Sequence, residues 1–244
     1  CIRDRRKLQK VKISLMRDPR FAFWRGLMMT GDTMLSDDIP TAMTDGCDEV
    51  YGREFVEGQS EKQVAFTVLH ENWHKMERHL TTMQVLFRID PRLANAACDF
   101  RINYALVALD PTEQTIAFPT TPDGKRFGLY DARFADMDVI QIFRILREEQ
   151  EQNPNKSQSG GNGGNSGKPG DGAGNFDEHD WDGAKQRTKA EEEKLERLID
   201  QAIRQGAAEH AKLNGKGNGE MDRLLGEILE PQVDWKQQLA EFVR

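Results

Sequence analysis

Residues 68–80, VLHENWHKMERHL, bring together three histidines and two glutamates. His70, Glu71 and His74 fit the pattern H-E-x-x-H. On a helix, residues four apart lie about 40° apart around the axis and one turn along it, so the two imidazoles could bind one metal ion. Glu71 lies about 100° round from His70, where its carboxylate could take a proton from a metal-bound water. The pattern predicts a metal site with its own general base.

The helix that would carry these residues also has a buried face. It is predicted to begin at a capping box formed by Ser60 and Gln63. Apolar residues then recur three or four apart: Phe66, Leu69, Trp73, Met76, Leu80 and Met83. Because the histidines flank this stripe, they face the edge of the interior. A pair of half-buried histidines with ordinary hydrogen-bond partners is the competing interpretation, and the metal site is favoured over it.

A second segment, residues 92–109, is apolar nearly all the way round and predicts a buried helix. Asn95, Asp99 and Asn103 nevertheless form one polar stripe along it, each four residues after the last. A buried carboxylate is costly unless it is paired or bound to a metal, and Arg92 is a possible partner. We predict that Asp99 is the third metal ligand and that Asn103 supports Asp99 or a histidine from behind.

Two other residues compete with Asp99 as the third ligand. His79 lies half a turn round from His70 and could reach the metal only if the helix ends early. Glu77 lies on the same side as His70, but three ligands from one straight helix give poor tetrahedral geometry. Zinc is the expected metal for nitrogen and carboxylate ligands, with manganese or iron as alternatives. Tyr51 and Tyr104 have the group needed to stabilise an oxyanion, although a structural role is favoured for both.

The other elements are predicted from periodicity and turn signals. Residues 3–17 and 137–150 predict helices, residues 21–30 predict a strand, and Asp45-Gly46 predicts a hairpin between two short strands. Further helices are predicted at 189–213, 221–229 and 235–243. The stretch 153–175 is rich in Gly, Asn and Ser and predicts a flexible linker or insertion. The predicted domains are a core at 1–151, a linker at 152–183 and a helical tail at 184–244.

Composition excludes several classes of function. The formal net charge of −7 argues against a general phosphate-binding surface, so the basic cluster at residues 3–12 is interpreted as a solvated helix face. The three cysteines are far apart and form neither a disulfide framework nor a cysteine zinc site. No run of apolar residues is long enough to span a bilayer. We expect a cytoplasmic protein that binds neither nucleic acid nor a membrane.

Several motifs together resemble a known family. In order, they are IPTAMTDG, EFVEGQSEKQVAFTVLHENWH followed by His79, DPRLANAACDFRIN, GLYDARFADMDVIQIFRIL and PQVDWKQQLAEFV. The sequence resembles the metallopeptidase domain that precedes a von Willebrand A-like domain in predicted metal-dependent peptidases of bacteria and phages. This resemblance covers most of the chain outside the linker.

The resemblance implies a zincin-like α+β fold, with a small mixed or antiparallel sheet packed on the H-E-x-x-H helix and on a second buried helix. It implies His70 and His74 as zinc ligands, Glu71 as general base, and Asp99 with Asn103 beside it. The family often carries a histidine at the position of His79, which keeps that residue a functional candidate. The C-terminal segment leads in the family into the von Willebrand A-like domain, so that domain and an AAA-type ring ATPase are implied partners. Since the chain starts with Cys1 and stops at Arg244, we expect either a fragment or a protein whose partner domain is absent.

The predicted function is zinc-dependent hydrolysis of peptide bonds, with Glu71 as the base and a peptide or protein as substrate. The alternative is a non-catalytic, metal-stabilised interaction module that works with the von Willebrand A-like domain or the ATPase. A nucleic-acid factor that uses the basic residues 3–12 is the least favoured hypothesis.

Overall fold

The computed structural model describes residues 2–121, 123–152 and 187–215, together with residues 223 and 226. Its helices are α1 (Ile2–Arg17), α2 (Arg25–Met28), α3 (Arg53–Gly58), α4 (Glu61–Met76), α5 (His79–Thr82), α6 (Gln84–Ile89), α7 (Pro91–Leu109), α8 (Val139–Gln152) and α9 (Lys189–Asn214). Its strands are β1 (Thr33–Ser36), β2 (Ala42–Thr44) and β3 (Glu49–Gly52), and two short 3-10 helices lie at Pro19–Trp24 and Ala132–Phe134. The α+β prediction is confirmed. None of the helices in these ranges combines the length and the apolar character needed to cross a membrane.

The three strands form one small mixed sheet in the order β1-β3-β2. β2 and β3 are antiparallel and joined by the predicted hairpin, while β1 pairs parallel to β3. Gly46 in the hairpin has φ +90°, a backbone conformation that favours glycine. The side chain of Asp45 accepts hydrogen bonds from the backbone N–H groups of Cys47 and Asp48, which closes the turn.

The predicted strand at residues 21–30 is wrong. The chain there forms a 3-10 helix followed by α2. Asp18 caps the start of the 3-10 helix, since its carboxylate accepts a hydrogen bond from the backbone N–H of Arg20, and Pro19 lies in the first turn. Four consecutive residues, Phe21 to Trp24, are buried, so the segment shows no alternation between faces. Because α9 covers this segment, an unbroken apolar run suits a helical turn as well as a strand.

Helices α4 and α7 lie against each other between two hydrophobic clusters. The larger cluster joins α1, α2, the sheet and α4, and also includes Leu195, Ile199, Ala202 and Ile203 of α9. The smaller cluster joins α6, α7 and α8. The surface shared by α4 and α7 is therefore buried from both sides, and it is here that the polar residues of both helices meet.

The predicted linker at 153–175 and the predicted helices at 221–229 and 235–243 lie almost entirely outside the described residues. The predicted helix at 189–213 corresponds to α9, which begins with a second capping box formed by Thr188 and Glu191.

Candidate metal centre

Helix α4 presents the H-E-x-x-H residues to α7. The predicted capping box is present: Ser60 Oγ accepts from the backbone N–H of Gln63, and the Gln63 side chain accepts from the backbone N–H of Ser60. This fixes the first turn and therefore the helical phase of the residues downstream. His70, Glu71 and His74 are all fully buried.

Three ligand atoms converge at the α4–α7 interface. His70 Nε2 lies 3.1 Å from His74 Nε2, and Asp99 Oδ1 lies 3.6 Å from the former and 3.4 Å from the latter. A cation bound tetrahedrally at about 2.0–2.1 Å from each of three ligands requires them to be about 3.3–3.4 Å apart. These residues form a buried group that could hold a metal ion. Three protein donors would occupy three of the four positions around a tetrahedral ion.

The backbone turn after α4 determines the positions of the two rival ligands. Helix α4 ends at Met76 because Arg78 adopts a left-handed conformation, with φ 52° and ψ 39°. A residue in the left-handed conformation commonly ends a helix, and this residue is usually glycine or asparagine rather than arginine. The chain then reverses, so that His79 returns to contact His74, with 3.1 Å between the two Nδ1 atoms. Helix α4 therefore ends early enough for His79 to approach His74. His79 and Glu77 nevertheless lie outside the group of three converging ligands.

Asn103 lies behind His70. Its Oδ1 is 2.8 Å from His70 Nδ1, while its Nδ2 donates to the backbone carbonyl of Leu129 at 2.8 Å. Because the amide nitrogen is committed to Leu129, the amide oxygen faces His70 and accepts a hydrogen bond from Nδ1–H. In this neutral tautomer the lone pair of His70 Nε2 points to the converging ligands.

The electrostatics of the group favour a positive charge. Burial lowers the pKa of His70, but the hydrogen bond and charge of Asp99, together with the charge of Glu71, raise it above its ordinary value overall. The two buried imidazoles and the Asp99 carboxylate, with the charge of Glu71 nearby, thus favour binding of a proton or a metal cation.

Tyr51 and Tyr104, the candidate oxyanion donors, have other contacts. Tyr51 is buried and donates its hydroxyl to Glu49 Oε2 at 2.7 Å. The ring of Tyr104 stacks on Tyr130, with 6.5 Å between the centroids. Arg92, the proposed partner of Asp99, is exposed and lies at the start of α7, two turns before Asp99.

Sequence reasoning missed two contributions to this site. The carbonyl of Leu129, which orients Asn103, comes from an irregular segment with no sequence signal for such a role. The contact of His79 with His74 depends on the left-handed Arg78, and a non-glycine residue in that conformation carries no recognisable pattern.

The chain matches, over residues 5–244, the protein family described as "Putative metallopeptidase domain". Because the match covers nearly the whole chain, the chain belongs to this family, which confirms the resemblance seen in the motifs. No curated protein and no solved structure matches the chain.

Proposed function

We propose that this member of the metallopeptidase family is a zincin-like, zinc-dependent peptidase whose metal ligands are His70, His74 and Asp99. The observation that carries the proposal is the convergence of two imidazole nitrogens and one carboxylate oxygen at 3.1–3.6 Å. Zinc suits this donor set because it accepts nitrogen and oxygen ligands in tetrahedral geometry. Three protein ligands and a vacant fourth position are typical of hydrolytic zinc sites.

Each residue has a defined role in the proposed reaction. Zinc, when bound, would make a water acidic near neutral pH and polarise the carbonyl of the scissile bond. Glu71, next to His70 on α4, takes the proton from the attacking water and passes it to the leaving amine. Asn103 holds the ring of His70 through its Nδ1–H and so directs Nε2 toward Asp99 and His74. The substrate is a peptide or protein, and a von Willebrand A-like domain or a ring ATPase is the proposed partner.

Metal content and peptidase activity test this proposal together. We expect about one zinc per chain in the wild-type protein and loss of zinc in His70→Ala and Asp99→Ala. Glu71→Gln should keep the metal but lower peptide hydrolysis by about 10²–10⁴-fold, because only the base is removed. Elemental analysis and cleavage of a fluorogenic peptide library are the measurements. A wild-type chain that binds no zinc even after reconstitution would contradict the proposal.

Complete burial of the site favours a second candidate, a metal-stabilised interaction module. His70, Glu71 and His74 are fully buried, and structural zinc sites are closed whereas catalytic ones keep an open position. In this case zinc would join α4 to α7, and its removal by a chelator would lower the melting temperature. Glu71→Gln would then change neither metal content nor partner binding, and no variant would affect hydrolysis because the wild type has none.

A further inference from the structure

A chain of hydrogen bonds runs away from His74 on the side opposite the converging ligands. His74 Nδ1 is 3.1 Å from His79 Nδ1, and His79 Nε2 is 2.8 Å from Glu77 Oε2. The other carboxylate oxygen of Glu77 accepts from Trp73 Nε1 at 2.6 Å. His74 and His79 are fully buried, so water does not compete for these contacts.

The acceptor at the end of this chain determines where its protons lie. Burial raises the pKa of Glu77, but the hydrogen bonds from His79 and from Trp73 Nε1, which can only donate, together with the charge of Arg101, bring it below its ordinary value. Glu77 is therefore ionised and only accepts hydrogen bonds, so His79 Nε2 must be the donor. In neutral His79 the remaining nitrogen, Nδ1, carries a lone pair and accepts from His74 Nδ1–H.

This arrangement leaves His74 in one tautomer. With its proton on Nδ1, the lone pair of His74 lies on Nε2, the atom that is 3.4 Å from Asp99 Oδ1. His70 reaches the same state through a different acceptor, the amide oxygen of Asn103. Each histidine of the H-E-x-x-H pair is thus oriented by its own buried hydrogen-bond acceptor.

We propose that His79, held by Glu77, is a positioning residue that fixes His74 in the tautomer able to bind the metal through Nε2, and that His79 is not itself a ligand. This inference rests on the proposed metal site but does not require that the site be hydrolytic. Acceptors behind metal-bound histidines typically contribute about 10–100-fold to metal affinity. The left-handed turn at Arg78 serves the site by bringing His79 back against α4.

Two substitutions at position 79 separate positioning from ligation. In His79→Asn, an amide oxygen can replace Nδ1 as the acceptor for His74, so zinc affinity should stay within about threefold of the wild type. In His79→Leu the acceptor is lost, and zinc affinity should fall about 10–100-fold. The visible spectrum of the cobalt-substituted protein should be the same in wild type and His79→Asn, because neither changes the atoms bound to the metal.

The competing outcomes are distinct. If His79 were the third ligand, both variants would lose affinity and the cobalt spectrum of His79→Asn would change. If His79 only packed the core, His79→Leu would alter the melting temperature but leave zinc affinity unchanged. Either result would overturn the proposal. His210→Leu is the matched control, since His210 is also buried and contacts Asn214 within α9, and it should not alter zinc affinity.

Nitrogen NMR of histidine-labelled protein gives a readout that does not depend on either variant folding. Long-range couplings should show the Nε2–H tautomer for His79 and the Nδ1–H tautomer for His74, both with and without zinc. A metal-bound or doubly protonated His79 would refute the proposal. A wild-type chain that binds zinc and shows these tautomers but cleaves no peptide would refute the proposed hydrolysis alone, so the two failures can be told apart.

Discussion

At the scale of single residues, α4 buries ionisable groups on two of its faces. One face carries His70 and His74 toward α7, and the other carries Lys75 toward the sheet. Lys75 Nζ donates to Glu49 Oε1 at 2.5 Å and to the backbone carbonyl of Thr30 at 2.8 Å. Both side chains of this ion pair are fully buried. The pair joins the end of α4 to β3, which limits movement of the histidines relative to the sheet.

Lys75→Met should therefore be strongly destabilising. The substitution removes the closest cation from the buried carboxylate of Glu49, whose remaining partners are Tyr51 and the more distant Lys12. Breaking a buried ion pair typically costs about 3–5 kcal/mol. Because Lys12 Nζ remains 3.4 Å from Glu49 Oε2, we expect the free energy of unfolding to fall by about 3 kcal/mol, the lower end of that range. Urea denaturation followed by circular dichroism measures it.

Lys10→Met provides the matched comparison, since it breaks the exposed pair between Lys10 and Glu61. Its effect should be below about 1 kcal/mol. Equal effects of the two substitutions would show that the buried pair stabilises the fold no more than the exposed pair does.

At the scale of elements, the end of α7 determines the course of the segment that follows. The Asp110 carboxylate accepts hydrogen bonds from the backbone N–H groups of Gln114, Thr115 and Ile116, which folds the chain back after the helix. The returning segment places Ile116 in the main core. The same segment continues to Leu129, whose carbonyl orients Asn103.

Asp110 should give the protein part of its resistance to acid. Burial raises the pKa of Asp110, but the backbone donors and Arg20 lower it below its ordinary value overall. The carboxylate therefore stabilises the fold fully above the unfolded-state pKa of 3.8, and this contribution is lost as the pH falls through the lower folded-state value.

In Asp110→Asn we expect a loss of about 1–3 kcal/mol at neutral pH. The difference from wild type should shrink below about pH 4, since the wild-type carboxyl is then being protonated. Unfolding measured from pH 7 down to pH 3 tests this. A difference that stays constant over that range would exclude the carboxylate charge as the cause.

At the scale of the whole molecule, α9 completes the main core although it is distant in sequence. It lies against the 3-10 helix at Pro19–Trp24 and against α2, with Ala202 in contact with Gly26. The approach is closest at Gly206, where a Cβ atom would lie 2.1 Å from the backbone oxygen of Phe23. Only glycine permits this packing, because the neighbouring atom is backbone and cannot move aside.

Gly206→Ala should consequently displace α9. Alanine favours a helix interior by about 1 kcal/mol, but the overlap with Phe23 should outweigh this and lower stability by about 1–3 kcal/mol. Thermal unfolding and amide hydrogen exchange of the 3-10 helix measure the effect. Gly58→Ala is the control, because nothing lies within 4 Å of the position that its Cβ would take, and it should change stability by less than about 1 kcal/mol. A Gly206→Ala protein as stable as the control would contradict the close packing of α9.

The sequence by itself determined the features that depend on local spacing. The capping box at Ser60, the hairpin at Asp45-Gly46 and the buried helix at residues 92–109 each follow from patterns within a few turns of chain. The candidate ligands His70, His74 and Asp99 could be proposed in the same way, because periodicity shows which residues share a helix face and because a buried carboxylate needs a partner.

Only the tertiary structure decided the features that depend on long-range packing. The run at residues 21–30 forms helical turns because α9 covers it, and its local pattern does not distinguish this from a strand. His79 contacts His74 because Arg78 adopts a left-handed conformation that its residue type disfavours. A local sequence pattern indicates the conformational preference of one segment, whereas these conformations depend on contacts between segments that are far apart in the chain.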